Sequence, residues 1–203
     1  MMHPLRILSA CCAAFLLSVA PARATTITFG TTNVDHLNVN SPRVEGDFTY
    51  TATGAGWETE TSFGNPGAAL STFFDNEPSA VGDHVDFIRT GGGTFSFVGL
   101  DWRTILGSNS DDVLVEGFLG VTLVNSLSLT NSSQTFVSAS GFGGPIDLLR
   151  VRVTAAGGAN NNAMLLDNIN LSTTAATAPE PASLTLLGMG LAALRLRRRF
   201  TRV

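Results

Sequence analysis

The chain has 203 residues with sixteen acids, twelve arginines and no lysine, for a net charge of −4. That total is divided: between residues 25 and 178 fifteen acids face five arginines (Arg43, Arg89, Arg103, Arg150 and Arg152), a balance of −10, which repels phosphates and argues against nucleic acid as a partner. Both cysteines, Cys11 and Cys12, precede this acidic body, so disulfides, thiolate metal sites and cysteine nucleophiles are excluded from it as well.

Residues 1–24 have the three parts of a secretory signal: a short start bearing Arg6, an apolar run over 7–20, and small residues at Ala22 and Ala24 where the peptidase reads. Cleavage is expected before Thr25, after passage through the Sec machinery. Leu8-Ser9-Ala10-Cys11 has the letters of a lipobox, but most of the apolar run follows it.

The body, 25–173, contains no amphipathic helical pattern. Short β-rich runs recur between Gly, Asn, Pro, Ser and Asp clusters, at 25–29, 47–53, 57–62, 69–74, 84–89, 94–102, 112–118, 121–129, 134–138, 147–154 and 163–171. Several alternate with period two. Phe95 and Phe97 share one face of their strand, and Arg150 and Arg152 lie opposite Leu149, Val151 and Val153. A slip of one residue would bury both arginines, so this register is strongly specified. Strand number and spacing predict an all-β fold, a two-sheet antiparallel sandwich with jelly-roll wiring preferred over an immunoglobulin-like one.

Aromatic side chains stack on the apolar faces of sugar rings, and they also fill sandwich cores. Trp102 closes an apolar run and reads as core. Trp57, among Gly54, Gly56, Glu58 and Glu60, has the more open setting; with Tyr50 it is the candidate glycan platform, beside a core role. His36 and His84 are the two histidines of the body, too few for the usual zinc sites without carboxylate help. Acid pairs such as Glu58/Glu60 and Asp111/Asp112 leave a glycoside hydrolase on composition alone, but no nucleophile elbow and no phosphate-cradling loop occur. A non-catalytic protein is the expectation.

The closing body segment, Met164-Leu165-Leu166-Asp167-Asn168-Ile169-Asn170-Leu171, resembles the last strand of carbohydrate-binding-module-like jelly rolls. In such modules an aspartate at this point often helps to hold a structural calcium. The resemblance therefore implies a calcium role for Asp167, with Asp35, Asn33 or Glu45 as further oxygen donors, against the alternative of a strand-edge pair with nothing bound.

Residues 174–178 read as a small-residue linker. In 179–203, Pro179-Glu180-Pro181 precedes thirteen apolar or small residues (182–194) and then Arg195, Arg197, Arg198 and Arg199. As a helix that run spans about 20 Å, short of the roughly 30 Å hydrocarbon core, with the arginines held on the cytoplasmic side. It reads as a stop that lodges transiently in the inner membrane. The three parts in this order resemble the PEP-CTERM sorting signal, which implies recognition by an exosortase, a membrane cysteine protease-transpeptidase of Gram-negative bacteria that accompanies exopolysaccharide and biofilm production. The resemblance implies a protein of the cell surface, outer membrane or extracellular matrix. Two functions follow as expectations: a matrix-associated surface protein, or a carbohydrate-binding module with exposed aromatics.

Overall fold

In the computed structural model the alternation of body residues builds two six-stranded antiparallel sheets. The structure describes residues 23–31, 33, 34, 36, 37, 41–74, 77, 78, 80–105, 111–130, 134–155 and 163–173.

The first sheet contains β1 (Arg23–Ile27), β4 (Glu58–Glu60), β5 (Ala69–Ser71), β9 (Ser96–Thr104), β12 (Val137–Ser140) and β14 (Met164–Thr173), in the order β12-β9-β14-β5-β4. β14 is long enough to pair β5 through Leu165 and Leu166 and then β1 through residues 169–173. The second sheet holds β2 (Arg43–Glu45), β3 (Phe48–Thr53), β8 (His84–Arg89), β10 (Asp112–Leu119), β11 (Thr122–Leu129) and β13 (Leu148–Ala155), ordered β11-β10-β13-β8-β3-β2. A two-stranded ribbon of β6 (Phe73–Phe74) and β7 (Glu77–Pro78) stands apart. From β8 onward the chain passes from sheet to sheet, with β9, β12 and β14 in the first and β10, β11 and β13 in the second. This is jelly-roll wiring.

The core lies between the sheets and is rich in aromatics. Phe48 meets Phe95 edge-on at 5.0 Å, and Tyr50 lies 5.6 Å from Phe87 and 5.7 Å from Phe29. On β13, Leu149, Val151 and Val153 are fully buried, while Arg150 and Arg152 reach the outer face. There they form two forked ion pairs. Arg150 holds Asp86 through Nε and Nη2 at 2.7 and 2.8 Å, and Arg152 holds Glu116 at 2.8 and 2.9 Å. The β8 strand has the expected bounds, whereas β2, just after Pro42, was not legible from its three residues.

Trp57 and Tyr50 are core residues, exposed by 0% and 3%. This corrects the expectation of an aromatic glycan platform at these positions: the glycines around Trp57 permit turns, and the strands beyond them carry the indole inward. Signal residue Ala22, Asp35 of the calcium set, and the sorting residues Pro179, Glu180, Pro181, Arg195, Arg197, Arg198 and Arg199 lie outside the described residues. Among the described residues no helix is long and apolar enough to cross a membrane. Ala24 and Thr25, which flank the expected cleavage point, both sit in β1, where they pair with Ser172 and Leu171.

Candidate functional site

The outer face of the first sheet carries an open cleft of about 430 Å³ lined by Ser62, Phe63, Gly64, Asn65, Arg103, Gln134, Thr135 and Phe136. Its floor comes from β9. Alternation along that strand sends Trp102 and Thr104 into the body and leaves Asp101 and Arg103 on the outside. One wall is the segment 61–67, which begins with a 3-10 turn at Thr61–Phe63. The other is the approach to β12, residues 134–136.

Arg103 is the centre of the cleft. Its guanidinium carbon lies over the Phe63 ring at 5.5 Å and over the Phe136 ring at 5.1 Å from the centroids. Contacts of this kind are worth about 0.5–1 kcal/mol each at a partly exposed site. Nη1 donates to the Gln134 carbonyl at 3.1 Å and Nη2 to the Phe63 carbonyl at 3.4 Å. The arginine therefore ties the two walls to the floor. Nε is buried and has no acceptor among the described residues.

The first wall is latched at two points. Asn33 Oδ1 accepts the backbone N–H and the hydroxyl of Thr61 at 2.7 and 2.8 Å. Asp167 Oδ2 accepts the Asn65 N–H at 2.5 Å, and Asn168 Nδ2 donates to the Asn65 carbonyl at 2.7 Å. Between the latches the chain turns tightly: a Cβ on Gly64 would sit 2.1 Å from the Gly67 carbonyl oxygen, and Gly67 itself adopts φ +102°. Only glycine fits that approach.

Asn168 has φ +49°, and β14 shifts register there against β9. The shift reverses which face each residue takes: Met164 and Leu166 point into the core before it, and Ile169 and Leu171 after it. Asp167 precedes the shift: the alternation set by Met164 and Leu166 turns it outward, where it is fully covered beneath the 61–67 wall. Its second oxygen accepts the Asn168 N–H at 2.6 Å. Burial pushes its pKa up to about 6; the two N–H donors oppose the rise, and the Asp101 and Glu45 charges add to it. Asp101 is itself engaged, accepting the Ser138 hydroxyl at 2.6 Å and Asn168 Nδ2 at 2.8 Å.

The calcium expectation meets oxygens that protein donors already occupy. Glu45 accepts the Thr28 N–H and hydroxyl and the Phe29 N–H at 2.8–3.0 Å, Asn33 is held by Thr61, and Asp167 by its two amides. Among the described residues no group of three or more His, Cys, Asp or Glu side chains is arranged to hold a metal ion. Of the acid pairs named from composition, Asp111 is buried and accepts the Thr72 hydroxyl. His84 lies 3.8 Å from Asp86, whose oxygens Arg150 already grips. The Phe63, Arg103 and Phe136 cluster was missed from the sequence; the outward parity of Arg103 beside buried Trp102 was the one signal available.

Comparison with known proteins adds two findings. Residues 177–199 match the PEP-CTERM protein-sorting motif, which marks an exported protein sorted at the membrane by an exosortase. No curated protein is significantly similar to the chain. Among solved structures, a family 29 carbohydrate binding module from Piromyces equi is similar at 15% identity and TM-score 0.43, covering 76% of this chain and 92% of that one. A variant of a second family 29 module, complexed with mannohexaose, is similar at 14% identity and TM-score 0.41, covering 76% and 94%. The jelly-roll assignment rests on the strand pairing of this chain itself.

Proposed function

We propose that the protein is a non-catalytic surface protein whose sandwich binds a glycan in the Phe63–Arg103–Phe136 cleft, within or beside exopolysaccharide. Export by the Sec route and cutting near Pro179-Glu180-Pro181 would deliver the body outside the inner membrane, to the cell surface or matrix. The observation that carries the reading is the cleft: open, within the size range of small-molecule sites, and lined by hydroxyl, amide and guanidinium donors around two phenyl rings. Glycans present hydroxyls and apolar C–H faces, which such a lining matches.

The lining also favours binding over turnover. Glycoside hydrolysis ordinarily needs two carboxyl groups flanking the bond, and no acid lines the cleft among the described residues. Asp101, the nearby acid of the floor, has both oxygens engaged.

Affinity electrophoresis of the full-length chain through gels containing neutral and acidic polysaccharides tests the proposal. Retardation by at least one polymer, abolished in Phe136→Ala at unchanged melting temperature, is expected. Free migration in every gel would sink it.

A further inference from the structure

We infer that the cleft takes an acidic polysaccharide and seats a uronic-acid carboxylate on Arg103. This rests on the glycan-binding reading above and specifies the ligand. The starting point is a mismatch of charge. A body with a balance of −10 repels polyanions at long range, but salt screens such repulsion beyond about 10 Å. At shorter distance the local groups decide.

Those local groups favour an anion. Arg150 and Arg152 are neutralised by forked pairs with Asp86 and Glu116. Arg103 differs: its acceptors are two backbone carbonyl oxygens, and no carboxylate lies within ion-pair distance of it among the described residues. A guanidinium offers five N–H donors and no acceptor, in a fork that matches a carboxylate. Two are used by the carbonyls, one on each Nη, which leaves the second N–H of each Nη without an acceptor among the described residues. The two phenyl rings and the two wall carbonyls fix the fork before any ligand arrives, so little rotamer freedom is left to lose on binding. Ser62, Asn65 and Gln134 add neutral donors around it. A ligand bearing hydroxyls alone would bring the cation no counter-charge, and the described residues supply none. A uronate supplies one.

Polygalacturonate and its carboxyl-reduced form make a matched pair of probes, alike in backbone and different in charge. The full-length wild-type chain should bind polygalacturonate about tenfold to a hundredfold more tightly than the reduced polymer, and the difference should shrink as salt rises. Arg103→Gln should erase the preference, while Arg103→Lys retains a salt-sensitive remnant because it keeps the charge and loses the fork. Equal binding of the two polymers by the wild-type chain would overturn the carboxylate assignment and leave the cleft a neutral-glycan site. Binding of neither these two nor any polymer of the wider panel would overturn the glycan reading itself. The wild-type comparison decides the matter even where a variant melts early.

Discussion

Asp167 Oδ2 accepts the backbone N–H of Asn65 at 2.5 Å across 102 residues of chain. With Asn168 Nδ2 on the Asn65 carbonyl, this bond fastens the wall that carries Phe63 to the last strand of the sheet. The polar pair that the sequence marks for a metal is, in the fold, a latch beside the cleft. Removing it should be felt at both places. Asp167→Ala removes the acceptor of two part-buried amide donors, at a cost of about 1–3 kcal/mol, and should weaken glycan binding by loosening Phe63. Urea unfolding and gel retardation of the variant read the two effects; full stability with intact binding would show that the latch is idle.

The same carboxyl gives a pH signature. Its pKa is near 6 in the folded protein against 3.8 as the ordinary value. Between these limits the folded chain binds a proton that the unfolded chain does not, so this group's contribution to stability falls as pH rises from about 4 to about 6.5, then stays flat. The loss is about 1–3 kcal/mol. Asp167→Asn keeps one acceptor and cannot titrate. The wild-type minus variant difference in unfolding free energy should therefore slope downward over that window. A difference independent of pH would show that Asp167 is ionised throughout.

Calcium separates the latch from the metal expectation. Donors already hold the oxygens of Asp167, Glu45 and Asn33, so millimolar calcium should leave the melting temperature of the full-length chain unchanged, as should EDTA. A calcium-dependent rise reversed by EDTA would assign these oxygens to a cation, as the likeness of residues 164–171 to carbohydrate-module strands implies.

On the opposite sheet, Glu116 is nearly covered and is gripped at two points by Arg152. Glu116→Gln breaks the fork and should cost about 1–3 kcal/mol in urea unfolding, with glycan binding untouched because the pair lies on the far sheet. Unchanged stability would mean that solvent replaces the carboxylate without loss.

Processing should leave Thr25 as the mature N-terminus. That cut removes the Arg23–Thr173 and Ala24–Ser172 pairs and keeps the three through Thr25, Thr26 and Ile27. Replacing Pro179, Glu180 and Pro181 with alanine should leave the chain uncut and in the inner-membrane fraction. Mass spectrometry of the secreted and membrane pools checks both, and normal surface display of the triple variant would detach sorting from the motif.

Local chemistry was enough to make the all-β class, the register of β13 and the sorting tail legible. Alternation with period two is a property of neighbouring residues: Arg150 and Arg152 must leave the face that Leu149, Val151 and Val153 enter. The tail is likewise read from composition in one contiguous stretch. The fate of Trp57 was different, because glycine-rich surroundings say where the chain can turn and leave open what will cover the indole. The cleft lies further still from local pattern. Phe63, Arg103 and Phe136 are more than thirty residues apart, and they meet because β12 pairs β9 while Asp167 and Asn168 draw the 61–67 segment over the sheet. Asp167 itself changed meaning because the 61–67 segment covers the outer face on which the alternation of β14 places its carboxylate. Packing between distant segments decided those points, since the free energy of covering a charge or a ring depends on what arrives from elsewhere in the chain.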